Sequence, residues 1–407
     1  MKKVFVLCGL LLFGCSTRHK ELPANLKGIK KLSIYSLDKE PATSIKLVRG
    51  VTFVAPKKYS IGWYKETVSF YSWLAGIQID NAGRVYIADD KVMKIHVFNS
   101  DGKYLKSLGR KGRGPGEFLS IADMKIVLGK LYISDFLNFR TTIYSLDSLK
   151  VINTVNGRQT VNKKEVGGIN GWVRSMLLLR SNGTFLAGFT KHILDERLGS
   201  PTFNIGKDRP VKFYFMNKKS KIISGEIFQI KKDEKILLAQ FGGRVSSNIR
   251  PLPFLGRTII AISNNNHIYI TWTDNFLIKV YGADGNYIRA FYYPFRKKVI
   301  HRKELLSLIN KNDWNRFVVE HAKLPKIWPV IYSMIVDDHD RLWVSVIVPQ
   351  KGVREWLVLK DTGALIAKFT WPDNRVIKTV KDGYAYAIET NQETEMQKIV
   401  RYKIEMK

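Results

Sequence analysis

Along residues 77–118 the apolar positions fall in short runs of strand length. Ile77 and Ile79 form the first, Val85-Tyr86-Ile87-Ala88 the second, Ile95, Val97 and Phe98 the third, and Tyr104, Leu105 and Leu108 the fourth. Branched and aromatic side chains dominate them, as suits a pleated and buried surface. Asn81-Ala82-Gly83 and Ser100-Asp101-Gly102 stand between runs, and residues of these types supply tight turns. The stretch therefore predicts four antiparallel strands, closed by the glycine-rich run Gly109 to Phe118.

The same pattern recurs. With Tyr86 as the marker of a second strand, equivalent positions follow at Tyr132, Phe185, Tyr269, Trp343 and Tyr386, and third-strand runs follow at Val97-Phe98, Ile143-Tyr144, Phe213-Tyr214-Phe215, Val280-Tyr281 and Leu357-Val358. A repeat of this size built from four short strands is the signature of a propeller blade. The markers predict an all-β, six-bladed propeller over residues 31–407, preceded by a leader at 1–14 and a tether at 15–30. Two long intervals require insertions or a degenerate seventh blade. In one, the helical spacing of Leu305, Leu306, Leu308, Ile309, Trp314, Phe317 and Val318 predicts a helical insertion at about 297–325. In the other, 231–255, a long loop with one strand at Ile236 to Ala239 is expected. A ring of blades leaves no open edge when the chain ends share a blade, so a strand within 45–54 should complete the blade built by Val376 to Ile404.

The leader changes the cellular address. Lys2 and Lys3 precede an apolar run from Val4 to Phe13, too short for the roughly 20 residues a bilayer span needs. It reads as a signal peptide, and Leu12-Phe13-Gly14-Cys15 has the form of a bacterial lipoprotein cleavage box. Cys15 is the expected lipidation site and several acyl chains hold a protein firmly. Ser16 after the cysteine favours the outer membrane, and the basic Thr17-Arg18-His19-Lys20 the periplasmic side. The other cysteine, Cys8, lies in the leader, so no intramolecular disulfide is expected.

Charge narrows the partners. Lys and Arg number 67 against 35 Asp and Glu, a net +32 spread along the chain, which attracts anionic surfaces and polymers. Export demotes nucleic acid in favour of an anionic envelope glycan or an acidic protein. In a four-stranded blade the loops between strands two and three share one face with the links to the next blade. There the sequence places Arg110, Lys111, Arg113, Arg140, Lys163, Lys164, Arg244 and Arg250 as candidate anion contacts, with Lys351 and Arg354 nearby. Phe136, Phe139, Trp172, Phe203 and Phe276 are interleaved, a mixture suited to stacking plus anion contact.

Catalytic chemistry finds weaker support. Gly109 to Gly116 lacks the Lys and Ser or Thr of a phosphate-binding loop and is expected to link two blades. The seven histidines show no metal-ligand spacing. Asp80 and Asp337 are expected to form turns by accepting backbone hydrogen bonds two residues on. No cofactor is expected. Asp89, Asp135 and Asp274, at matching places after second strands, would be the ligands of calcium or zinc in an alternative reading as a lactonase-like hydrolase or a lyase. A structural role in an outer-membrane assembly, docking through the helical insertion, is a further alternative.

These residues carry a resemblance to NHL-repeat propellers and, more closely, to bacterial lipoproteins described as six-bladed beta-propeller proteins. It rests on Asp80 to Tyr86, on Gly109 to Phe118 and on Pro329 to Val344, and extends over residues 45–404, with Asp340 where a turn glycine is usual. The resemblance implies the fold and is silent on activity. The sequence thus reads as a binding or scaffold module of the cell envelope.

Overall fold

The computed structural model describes residues 26–38, 41, 43–54, 70–71, 74–156, 168–191, 210–231, 254–307, 316, 319–320, 324–391, 393 and 396–407. They form six antiparallel blades of four strands. Blade 1 comprises Leu74–Ile79, Val85–Asp89, Lys94–Phe98 and Tyr104–Leu108, and blade 2 comprises Asp123–Val127, Lys130–Asp135, Arg140–Ser145 and Val151–Asn156. Blade 3 is Trp172–Leu179, Phe185–Lys191, Pro210–Met216 and Phe228–Lys231, and blade 4 is Thr258–Ile262, Ile268–Trp272, Leu277–Tyr281 and Tyr287–Tyr292. Blade 5 is Ile331–Val336, Leu342–Ile347, Val353–Leu359 and Leu365–Pro372. Blade 6 takes Arg375–Lys381, Tyr384–Thr390 and Met396–Met406 from the end of the chain and its outer strand, Ile45–Phe53, from the beginning. The expected closure is therefore present, and Ser44 and Lys407 exchange both backbone hydrogen bonds at its lip.

Six hydrophobic clusters fill the spaces between neighbouring blades, one for each junction around the ring. This explains the apolar second strands. Val85 and Ile87 pack toward blade 6 while Tyr86 and Ala88 pack toward blade 2, so both faces of the strand are buried and alternation gives way to a continuous apolar run. Tyr132, Tyr269, Trp343 and Tyr386 likewise point into the next junction. Phe185 does not. It packs back toward blade 2, and its neighbour Leu186 fills the junction with blade 4, so the marker in blade 3 is displaced by one residue. A one-residue step in a strand reverses the face.

The insertion between blades 4 and 5 begins with a short helix, Arg302–Ser307, and Arg316, Val319 and Glu320 are also helical. Among the described residues no helix is long and apolar enough to cross a membrane. A short strand, Leu32–Ile34, adds parallel to the outer edge of blade 4, pairing Leu32 with Ala290 and Ile34 with Tyr292. The strand at Ile236 to Ala239, the long loop of blade 3 at 192–209, and Cys15, Lys163, Lys164, Arg244 and Arg250 lie outside the described residues.

Many basic side chains join blades. Arg84 donates to the Leu146 carbonyl at 2.9 Å, Lys125 to Leu179 at 3.1 Å, Lys381 to Ile79 at 2.9 Å and Arg401 to Ser100 at 2.8 Å. Buried Arg180 reaches the Ala283 carbonyl and lies 3.7 Å from the centre of the Phe215 ring. Carbonyls at strand ends lack ladder partners, and a long cationic donor from the adjacent blade satisfies them. Part of the positive charge is thus spent inside the ring.

Candidate functional site: the channel mouth on the loop face

First strands of neighbouring blades approach one another around the axis. They begin on the face that carries the loops between strands two and three and the links between blades, here the loop face, and end on the face of tight turns. Four of the six first strands carry a bulge, seen as a register shift around Ala75, Ser175, Tyr332 and Lys378. A bulge leaves one residue out of the ladder and re-aims its side chain.

Two of these bulged residues, Tyr332 and Lys378, lie at a cluster of cations. Arg257, just before the first strand of blade 4, donates to the Tyr332 carbonyl at 2.6 Å and lies 5.6 Å from the centre of its ring. Arg354, at the start of the third strand of blade 5, lies over the same ring at 3.6 Å and donates to the Asp373 carbonyl at 2.5 Å. Burial lowers the Arg354 pKa, opposed by Tyr332 and Asp373 and assisted by Arg257. Lys378 has no hydrogen-bonding or ion-pair partner among the described residues, and its pKa is lowered by burial and by the Arg257 charge. Lys378 is open to water in the lumen, so its surroundings are protein walls around a wet channel rather than a dry core.

Beside this cluster, on the side of blades 2 to 4, is a cavity of about 450 Å³ lined by Asp123, Phe136, Arg140, Arg174, Met176 and Arg257 among others. Arg174 has no partner among the described residues, and burial lowers its pKa. Asp123 is opposite in sign. Burial raises its carboxyl pKa, partly offset by Lys125. Asp90 near blade 2 is likewise raised by burial, against the hydrogen bond it accepts from the Ile121 N–H at 2.6 Å. The mouth therefore has a basic sector on blades 3 to 6 and a carboxylic sector on blades 1 and 2.

The expected site residues divide accordingly. Arg110, Lys111 and Arg113 lie exposed on the link between blades 1 and 2, where Arg110–Lys111 and Glu117–Phe118 form a two-residue parallel ladder. Arg110 is paired with Glu117 at 2.7 Å, and Glu117 also accepts from the Gly114 N–H at 2.7 Å. Those contacts hold the Glu117 carboxyl below its usual range. Arg140 lines the cavity and also has a structural task. Its guanidinium caps the carbonyls of Arg113 and Gly114 at 2.7 Å each, and that of Glu117, because the link turns its carbonyls inward. Phe276 is buried against Tyr293 and Phe295 rather than presented on the face, whereas Phe136 is 48% exposed and pairs with Phe139 at 5.8 Å.

Among the described residues the three aspartates do not come close enough together to share one ion, and each has other partners. Asp135 is buried and accepts from the N–H groups of Leu119, Ser120 and Asn138, the Ser120 hydroxyl and the Asn138 amide, which occupies its lone pairs. Asp89 accepts from the Lys91 and Val92 N–H groups, and Asp274 from the Trp272 indole at 2.9 Å. Their matching positions reflect a shared task in fixing loops. Among the described residues the group of potential donors close enough to share an ion is Asp337, Asp338 and His339, on the turn face. Asp337 there is taken up by Arg341, Trp343 and two backbone N–H groups.

One row of residues was not legible in the sequence. Ser107 Oγ lies 2.9 Å from His96 Nδ1, and His96 Nε2 lies 3.8 Å from Asp89 Oδ2. These are the residue types of a hydrolytic triad, but His96 is buried, the Ser107 hydroxyl also bonds Tyr104 at 2.8 Å, and neither residue lines the mouth cavity. The row packs strands of blade 1 together.

The fold and mouth define a six-bladed propeller with a basic channel entrance. Residues 74–162 match a family described as 6-bladed beta-propeller, and at that level the resemblance read from the sequence is borne out. No match is found among curated proteins. Among solved structures, the chain is similar to a member of the duf4221 family from Bacteroides vulgatus, at 12% identity and a TM-score of 0.51, covering 89% of this chain and 99% of that one. An exported protein from Bacteroides fragilis aligns at 13% identity and a TM-score of 0.49, over 92% of this chain and 100% of that one. The PQQ-bound aldose sugar dehydrogenase of Streptomyces coelicolor aligns at 10% identity and 0.43, over 90% and 100%. Likeness at these identities concerns the fold.

Proposed function

We propose that the protein is a binding module of the cell envelope, held by a lipid on Cys15 at the periplasmic side of the outer membrane, that takes an anionic glycan at the channel mouth. The observation that carries this reading is the clustering of Arg257 and Arg354 on Tyr332, with Lys378 near enough to Arg257 to be repelled by its charge. Like charges gathered where burial disfavours them are costly until an anion neutralises them. Arg174 adds a guanidinium with no partner among the described residues, and exposed Phe136 offers a ring to the apolar face of a sugar.

The carboxylic sector refines the ligand. A bare polyanion would be repelled by Asp90 and Asp123, whereas an acidic sugar presents a carboxylate to the guanidinium groups and hydroxyls to the carboxyls. A uronic-acid polymer fits both halves better than a polyphosphate. An acidic protein is the other partner that the basic sector suits, and the same measurement distinguishes it.

The test is titration of the mature chain with an oligoglucuronate, a neutral oligosaccharide of the same length and an oligoglutamate. Binding of the uronate alone, weakening with salt and falling at least about tenfold in an Arg354→Ala/Lys378→Ala variant, supports the reading. Equal affinity for the neutral sugar overturns it, and preference for oligoglutamate moves the assignment to an acidic protein.

A further inference from the structure

We propose that the turn face of blades 2 and 3 is a membrane-contact surface that lies on anionic phospholipid headgroups and points the channel mouth away from the bilayer. The inference takes the membrane and the side of the fold that faces it from the anchoring at Cys15 proposed above; the make-up of the surface is read from the described residues.

The first observation is where the chain enters. The strand Leu32–Ile34 runs parallel to the outer strand of blade 4, which itself runs from the turn face to the loop face. The residues before it therefore lie at the turn face. Ala290 donates to the Lys31 carbonyl at 3.2 Å, and the Tyr287 hydroxyl donates to the Lys30 carbonyl at 2.6 Å, next to the Asp284–Gly285 turn. Leu26 is buried. Residues 16–25 can span at most about 35 Å between an acylated Cys15 and that point, so the chain leaves the fold toward its anchor from the turn face.

The second observation is what that face displays. The tight turn of blade 2 exposes Leu128 to 66% at a positive φ of 49°, an expensive way to present a leucine to water. It lies beside Gly183 of blade 3, which also touches Lys218. Lys218, Lys219 and Lys221 are exposed on the adjoining turn of blade 3 and have no ion-pair partner among the described residues. Ile223, 52% exposed, follows them. Lys27, Lys30 and Lys31 are exposed where the chain enters.

Apolar side chains projecting among unpaired lysines form the surface that an anionic bilayer accepts, with the lysines on phosphates and the apolar tips at the acyl boundary. Most acidic residues of the same face lie outside blades 2 and 3, with Asp101 on blade 1, Asp284, Asp338, Asp340 and Asp361 on blades 4 and 5 and Asp382 on blade 6, whereas blade 2 contributes Asp147 and the Glu226 of blade 3 is paired with Lys212. Asp338 and Asp340 are engaged with the Asp382 N–H and with Asn264 and Asn265. Charge complementarity therefore tilts the disk so that blades 2 and 3 touch the headgroups.

The chain from Ser16 to Lys407 contains all six blades and the closing strand and carries no acyl group, so it isolates the surface from the anchor. Its co-sedimentation with vesicles is measured with phosphatidylglycerol in phosphatidylcholine and with phosphatidylcholine alone. Two variants with the same charge change are compared, Lys218→Glu/Lys219→Glu/Lys221→Glu on the turn face and Arg110→Glu/Lys111→Glu/Arg113→Glu on the loop face. The expected result is binding only to the anionic vesicles, reduced at least about tenfold by the turn-face set and less than about threefold by the loop-face set, with Leu128→Asp also weakening it. Equal loss in the two sets, or no preference for the anionic vesicles, overturns the proposal. Uronate binding by the turn-face variant checks its fold and separates failure of this surface from failure of the mouth.

Discussion

The Arg49 guanidinium donates to Oε1 of Glu389 at 2.5 Å although the two residues stand 340 positions apart. Arg49 belongs to the strand that the beginning of the chain lends to blade 6, and Glu389 to that blade's second strand. Between them Tyr402 of the third strand donates its hydroxyl to the same carboxylate, and burial together with that contact pushes the Tyr402 pKa up to about 12. The clasp therefore spans three strands and seals the ring. Hydrophobic packing alone would hold the strand, but a charged pair of this reach also fixes its register.

Replacing Glu389 by Gln should lower stability by about 1–2 kcal/mol at pH 7, the exposure of Arg49 screening part of the interaction. Burial by itself would raise the Glu389 pKa, but the hydrogen bonds from Tyr402 and Arg49 outweigh it and hold the carboxyl below its ordinary value. A depressed carboxyl pKa stabilises the folded state above the unfolded value, near pH 4.3, and that contribution is lost as pH falls through the folded value. The gap in thermal midpoint between wild type and Glu389→Gln should thus close as the pH is lowered below about 4. A gap that persists in acid would show that the loss is one of shape.

Asp80 and Asp337 should be equivalent anchors of blades 1 and 5. Each accepts two backbone N–H groups of its turn, the Nε of an arginine four residues on and the polar atom of a buried aromatic, the Tyr86 hydroxyl or the Trp343 indole N–H, at 2.9 Å. Asp337→Ala leaves a buried indole donor and a guanidinium without their acceptor and should cost about 2–4 kcal/mol. Asp337→Asn keeps one acceptor oxygen and should cost less. Denaturant unfolding of the pair measures the difference, and equal losses would remove the charge from the argument.

Gly109 should tolerate no side chain. Its φ is +81°, and a Cβ there would lie 2.4 Å from the ring of buried Phe118. Gly109→Ala must both strain the backbone and displace that ring from the junction of blades 1 and 2, at a cost of about 2 kcal/mol or more. Phe118→Leu in the same background should recover part of the loss, as a smaller side chain makes room. No recovery in thermal unfolding would place the whole effect in the backbone.

The contrast between fold and site follows from the physics of each. Strand runs, turn residues and closure were legible because every second strand is buried on both faces and each turn needs specific residue types. The blade 3 marker slipped because Phe185 and Leu186 are both large and apolar, and composition alone does not say which junction each one fills. The mouth was harder to read. Tyr332 and Lys378 owe their positions to bulges, and no pattern of residue types in their strands announces a register shift. The structural task of Arg140 was not legible either, because a sequence reports a charge but not the carbonyls it caps.

Lys378 should trade stability for binding. A lysine whose folded pKa is lowered binds fewer protons in the folded than in the unfolded state, so between the folded value and the unfolded value near 10.4 stability rises with pH. At neutral pH the charge is therefore a burden on the fold, reduced by water in the lumen to at most about 1 kcal/mol. Lys378→Met keeps the length and apolar stem, removes the repulsion with Arg257, and should leave the thermal midpoint unchanged or higher while weakening uronate binding. Because a ligand stabilises only the state it binds, added oligoglucuronate should raise the midpoint of wild type more than that of the variant. A lower midpoint with undiminished binding would make Lys378 a structural residue and place the anion elsewhere on the loop face.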